Sequence, residues 1–190
     1  MRQVAFLRAV NVAGHGRVTM ADLTRGFAAA GCRNVTTLIQ SGNVLFDDNG
    51  VPRAQLLAGL RRTLTPLLGG EPQIALRSLR QVQALVRRAP FAAFEDEAGI
   101  KLYVVFLLAA RPAAAVVPPA DAREQLEVAG KTRHEVFVAS RRKPNGMYGF
   151  PNAFVERACG VAATTRNWST VRKILEVGGS TRTRPTAVGS

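Results

Sequence analysis

Along the first half of the chain the hydrophobic period alternates between that of a strand and that of a helix. Val4–Val10 is densely apolar and predicts a strand. Met20, Leu23 and Phe27 then recur at helical spacing until Gly31 stops them, and Thr19 with Asp22 three residues on forms a capping-box start. Val35–Gln40 and Asn43–Asp47 are strand-like runs on either side of Ser41-Gly42, a short hairpin signal. After the turn cluster Asp47-Asp48-Asn49-Gly50, Pro52 stands where a helix begins; Leu56, Leu60, Leu64 and Leu67 mark that helix, and Gly69-Gly70 closes it. Ile74 and Leu76 alternate as a strand, and Leu79, Val82 and Leu85 mark a third helix. The order is βαββαβ with one helix appended.

The second half repeats this grammar. Leu102–Ala109 predicts a strand, and Arg123–Val128 with His134–Ala139 a hairpin around Gly130. Pro151, Phe154, Val155 and Ala158 fit a helix ending near Gly160. Ala162–Arg166 predicts the last strand, and Trp168, Val171, Ile174 and Leu175 the last helix. Arg77, Leu79, Val82 and Leu85 correspond to Arg166, Trp168, Val171 and Ile174 at a constant offset. Pro112, Pro118 and Pro119 leave room for little more than a helical turn in the first connection, so the second copy is degenerate there. The expected fold is α+β: two ferredoxin-like βαββαβ halves with antiparallel sheets, each with an appended helix. Residues 1–95 and 96–177 are the halves. Residues 178–190 lack apolar periodicity and are expected to be a flexible tail.

Composition narrows the class. With 190 residues, 47% hydrophobic and 21% charged, the chain is long enough and apolar enough for a core without metal or disulfide staples. The longest apolar run, Leu102–Ala110, is about half of a membrane-spanning helix. The short stretch Val4–Leu7 before Arg8 is not expected to act as a signal peptide, and two cysteines suit a reducing, cytoplasmic setting. The net charge of +13 invites a polyanion. The excess is even, however, with 12 basic and 5 acidic residues in 1–95 and 14 and 8 in 96–190. Arginine also outnumbers lysine 22 to 4 in an alanine-rich chain, as a GC-rich genome would produce.

In a ferredoxin-like half the first and third strands are central neighbours, so the β1–α1 loop and the β2–β3 hairpin emerge at one edge. That places Asn11–Arg17 beside Gln40–Asn43. Arg8, Asn11, Gln40, Ser41 and Asn43 are therefore expected around one concave site. Arg8 shares strand parity with Val4, Phe6 and Val10, while Ala5, Leu7 and Ala9 line the other face; its head should approach the interior, where a guanidinium must be paired. It serves either a salt bridge to an internal carboxylate or an anionic ligand.

Three segments carry a resemblance. Leu7–Gly14 (LRAVNVAG), Ile39–Phe46 (IQSGNVLF) and Thr164–Val171 (TTRNWSTV) resemble the bacterial domain of unknown function 1697 family. Members of that family open with an LRGINVGG-like stretch, continue with YIQSGNVVF and close with TxRNWNTV. The match runs from about Gln3 to Val177. Ala9 and Ala13 stand where the family has glycine, Leu38 where it has tyrosine and Ser169 where it has asparagine. The resemblance implies a cytosolic α+β protein and no particular reaction.

The remaining candidates each have two readings. Gly14, His15, Gly16 and Arg17 precede a helix and offer amides to a phosphate, or form a plain connection without a P-loop or dinucleotide fingerprint. Gln40–Asn43 is explained as turn chemistry, and Ser41 has no nucleophile-elbow context. Asn167 caps a helix with Trp168 as a core anchor; alternatively Arg166 binds an anion and Trp168 stacks on a ring. Arg141-Arg142-Lys143 is a solvated turn or a contact to a nucleic-acid backbone. Cys32 and Cys159 have neither CxxC nor cluster spacing, and His134 adds no metal set; no metal or cofactor is expected. The leading function is a non-catalytic module binding an anionic or phosphorylated ligand, nucleic acid included. The alternatives are an enzyme clamping an anionic small molecule with Arg8 and Arg166, or an interaction scaffold. One continuous basic stripe favours nucleic acid, one concave basic pocket a small anion, and dispersed charge a scaffold.

Overall fold

The computed structural model describes residues 1–8, 18–38, 42–94 and 97–180. The first half runs β1 (Arg2–Leu7), α1 (Met20–Ala29), β2 (Arg33–Leu38), β3 (Asn43–Asp47), α2 (Arg53–Leu68), β4 (Ile74–Ser78) and α3 (Leu79–Arg87). After a 3-10 turn at Ala92–Phe94 the second half runs β5 (Ile100–Leu107), β6 (Ala120–Asp121), β7 (Leu126–Lys131), β8 (Glu135–Arg141), α4 (Asn152–Cys159), β9 (Ala163–Asn167) and α5 (Trp168–Ser180). The protein is α+β, with two antiparallel sheets ordered β2-β3-β1-β4 and β6-β7-β8-β5-β9. Apart from the short β6, the second order repeats the first strand for strand. Among the described residues no helix is long and apolar enough to cross a membrane.

Local chemistry sets the helix ends. Thr19 caps α1 through a reciprocal pair with Asp22, and Ser78 caps α3 through one with Gln81. Gly69 and Gly160 stop α2 and α4 in the left-handed region, at φ 68° and 62°.

Strand alternation then divides the core into three layers. Ala5, Leu7, Val44, Phe46 and Leu76 pack against Leu23 and Phe27 of α1 and Leu56, Leu60 and Leu64 of α2. The other face of that sheet, with Val4, Phe6 and Leu45, meets Val104, Phe106 and Phe137 of the second sheet. Leu79, Val82 and Leu85 of α3 and Trp168, Val171 and Ile174 of α5 complete this shared core. Val105, Leu107, Val136 and Val138 on the far face are covered by Phe154, Val155 and Cys159 of α4 and by Val117. Phe6 and Phe106 stack at the centre, with rings 4.0 Å apart and 13° from parallel.

Several expectations shift. The hairpin in the second half turns at Thr132–His134, whose Thr132 hydroxyl accepts from the amides of His134 (3.0 Å) and Glu135 (2.9 Å). Gly130 sits inside β7, at an irregularity in the β7–β8 register. The strand expected from Arg123 starts at Leu126, because Asp121 accepts from the Glu124 amide (3.1 Å) and bends the chain first. The proline-rich connection before β6 holds no helix; Arg111 donates to the Ala115 carbonyl (2.7 Å). α5 continues through Gly178 and Gly179 to Ser180, beyond the end of the apolar periodicity. A Cβ at Gly178 would stand 2.9 Å from Leu45 Cδ2 and from both Leu79 methyls, so glycine permits this close approach.

Candidate functional site

The sequence offset that relates Arg77 to Arg166 becomes an exchange of arginines between the halves. Arg77 leaves β4 and donates from Nη2 to the carbonyls of Leu107 and His134, both at 2.9 Å, at the junction of β5 and β8. Arg166 leaves β9 and donates from Nη2 to the carbonyl of Leu7 at 2.7 Å, at the junction of β1 and β3. Each guanidinium lies 5.7 Å from a central ring, Arg77 at Phe106 and Arg166 at Phe6. The registers match as well, since Phe6 pairs with Asn43 and Phe106 with Glu135.

That match exposes one difference. Arg77 Nε donates to Glu135 Oε1 at 2.5 Å, and the two side chains are only 4% and 6% exposed. The other Glu135 oxygen accepts from the Thr132 hydroxyl. At the equivalent place Arg166 Nε donates to the neutral amide oxygen of Asn43, also at 2.5 Å. Its remaining donors reach Thr164 Oγ1 (2.7 Å), the Thr165 carbonyl (2.9 Å) and, at 3.5 Å, the Gly42 carbonyl. Arg166 is 8% exposed, and every partner it has among the described residues is uncharged. Burial pulls its pKa down from 12.5 to about 10, which leaves it a cation at neutral pH. No carboxylate among the described residues counters this buried charge.

Arg8 follows the last residue of β1 and reaches Glu156 of α4 through Nη1 (2.7 Å) and Nη2 (3.3 Å), with Gln73 Oε1 at 3.1 Å from Nη1. Its side chain is 35% exposed rather than interior, because β1 ends at Leu7 and the Arg8 amide bonds the Gln73 carbonyl at the rim (2.9 Å). Glu156 Oε1 also accepts from the Ala163 amide at 2.7 Å, so this ion pair ties β1, α4 and β9 together. Leu7, Arg8, Gly42, Asn43 and Arg166 are thus neighbours at one edge. Asn11, Gln40 and Ser41 lie outside the described residues, as do Gly14, His15, Gly16 and Arg17.

The other candidates are placed elsewhere. Trp168 is buried in the shared core, edge-on to Phe91 with centroids 5.2 Å apart. Asn167 is exposed at the last position of β9, just before α5. In the basic run, Arg141 pairs with Glu97 and Glu127, both at 2.6 Å, and Lys143 with Glu124 at 2.6 Å. Arg142 Nε donates to the Gly146 carbonyl at 2.9 Å. Two of these three cations are therefore already countered. Cys32 and Cys159 are buried free thiols; burial pushes Cys32 up to about 11 and raises Cys159.

Glu135, Glu156 and Gln73 are the partners that the sequence did not single out. The constant offset of the arginines was visible, whereas the equivalence of Asn43 and Glu135 emerges only through strand register.

A family model described as "Protein of unknown function (DUF1697)" matches residues 1–137, from β1 into β8. Among solved structures, the conserved bacterial protein SP0830 from Streptococcus pneumoniae is similar, with a TM-score of 0.66 at 20% identity. The alignment covers 94% of this chain and 98% of that one, and at this identity it shows the fold alone. No curated protein matches the chain in sequence.

Proposed function

The chain belongs to the DUF1697 family of proteins of unknown function, and we propose that it is a non-catalytic module binding a small anionic or phosphorylated ligand at the Arg166 edge. The observation that carries this reading is the contrast between the two exchanged arginines. Burying a guanidinium without a counter-charge costs several kcal/mol. The Glu135 carboxylate offsets that cost at Arg77, while Asn43 offers Arg166 only a dipole. An anion at the ends of β1 and β3 supplies the missing charge. The long 3.5 Å contact from Arg166 Nη2 to Gly42 is the donor it takes over, being at the outer limit of a hydrogen bond. Arg8, beside Leu7 and partly exposed, adds a second cation at the rim.

The finer fold reading belongs here as well. Matching strand orders and exchanged arginines are what duplication of a ferredoxin-like βαββαβ unit leaves behind, with residues 1–95 and 96–177 as its copies. Two buried thiols suit the cytoplasmic setting we assign.

The test is Asn43→Asp, which gives Arg166 a built-in carboxylate. Wild type is screened by thermal shift and calorimetry against inorganic phosphate, pyrophosphate, nucleoside monophosphates and sugar phosphates. At least one should raise the wild-type melting temperature, and Asn43→Asp should lose that increment while staying folded. The variant also gives up the Asn43 amide contact to the Leu38 carbonyl, so the readout is the ligand-dependent increment and not the baseline. No response in wild type, or a full response in the variant, overturns the reading.

A further inference from the structure

Seven side-chain cations among the described residues meet a carboxylate: Arg2, Arg8, Arg25, Arg61, Arg77, Arg141 and Lys143. The other described cations do not, and several of them gather on the outward faces of α3 and α5. The two helices lie side by side over the shared core, which leaves Arg80, Arg87 and Arg88 exposed on one and Arg172 and Lys173 on the other. Among the described residues none of these five forms an ion pair. α3 contains no acidic residue, and α5 only Glu176.

We propose that the paired α3/α5 face binds the phosphate backbone of double-stranded nucleic acid without reading its sequence. Arg80 and Arg87 are seven residues apart on α3, about 10 Å along its axis. Arg172 and Lys173 are consecutive on the neighbouring α5, so the two packed helices present their cations to the same side of the molecule. Such cations act by displacing condensed counterions, which requires no particular base. Single strands call for aromatic platforms, and here the one large aromatic of the helix pair, Trp168, is buried. Gln83, Ala84 and Ser169, exposed among the cations, are small or polar and allow a flat approach. The face uses no residue of the Arg166 edge and stands whether or not that edge binds an anion.

Anisotropy of labelled mixed-sequence duplex DNA, duplex RNA and the matching single strand, titrated with the full chain over a salt series, tests the proposal. At least one duplex should bind more tightly than the single strand, with the logarithm of affinity falling by about 0.9 per phosphate contacted for each unit of log salt. The variant Arg80→Gln/Arg87→Gln/Arg88→Gln should lower that slope by about 2 to 3 with an unchanged melting temperature, because glutamine keeps similar helix propensity. Arg141→Gln/Arg142→Gln/Lys143→Gln should leave the slope as it is. The proposal fails if wild type shows no salt-dependent duplex binding, if the single strand binds more tightly, or if the α3 variant keeps the full slope.

Discussion

The two inner edges of the molecule present the same guanidinium on the same scaffold. At one, Arg77 closes on Leu107, His134 and Glu135; at the other, Arg166 closes on Leu7, Gly42 and Asn43. Backbone carbonyls, strand register and the neighbouring phenyl ring are alike. The difference is a carboxylate at one edge and an amide at the other, so among the described residues one guanidinium is neutralised by its neighbour and the other is not. Similar geometry therefore carries its own counter-charge in one place and lacks it in another, with the distinction carried by a single side chain.

The largest expected effect comes from erasing that distinction. Glu135→Gln keeps the shape at Arg77 and removes its counter-charge, and should cost about 3 kcal/mol in urea unfolding, as for other broken buried pairs. A loss below about 1 kcal/mol would show that Arg77 is held by its carbonyls alone, and the contrast with Arg166 would lose its energetic basis.

A smaller effect is expected at the rim. Arg8→Met removes a two-pronged but partly exposed pair with Glu156, for a loss of about 1 kcal/mol. Measured with and without a stabilising phosphate compound, the variant separates two roles. An equal loss in both conditions makes Arg8 a tie between the halves only; loss of the ligand-dependent increment makes it part of the anion site.

The smallest effect asks whether α1, which has no counterpart in the second half, matters to the comparison. Thr19→Ala should cost about 0.5 kcal/mol through the lost cap. The Thr19 hydroxyl and amide donate to Asp22, with Arg25 adding to them, and hold its carboxyl below the ordinary 3.8. That contribution is present above pH 3.8 and lost as the pH falls through the lowered value, so Asp22→Asn should flatten the acid limb of the stability curve. An unchanged acid limb would mean that α1 docks through Leu23 and Phe27 alone.

What was legible in the sequence follows from range. β3 spans Asn43–Asp47 as its alternation predicts, and the Thr19–Asp22 cap was visible because both ends of the interaction lie within one turn. The pairing of Arg8 with a carboxylate was one of the two expected readings, yet Glu156 lies far along the chain and no local pattern names it. The run Arg141–Lys143 looked like open positive charge because its counter-charges, Glu97, Glu124 and Glu127, come from other segments. Gly130 misplaced the hairpin because glycine is the stronger general turn signal, whereas here the Thr132 hydroxyl closes the turn.

The Phe6–Phe106 stack has a consequence for what a symmetric assembly can hold. Two identical subunits meeting across such a stack must carry the same residue at both copies of the neighbouring strand position, so either both arginines are countered or neither is. Placing Glu135 on one side and Asn43 on the other requires two separate codons that can change independently. One continuous chain has them, and a homodimer built from a single half does not.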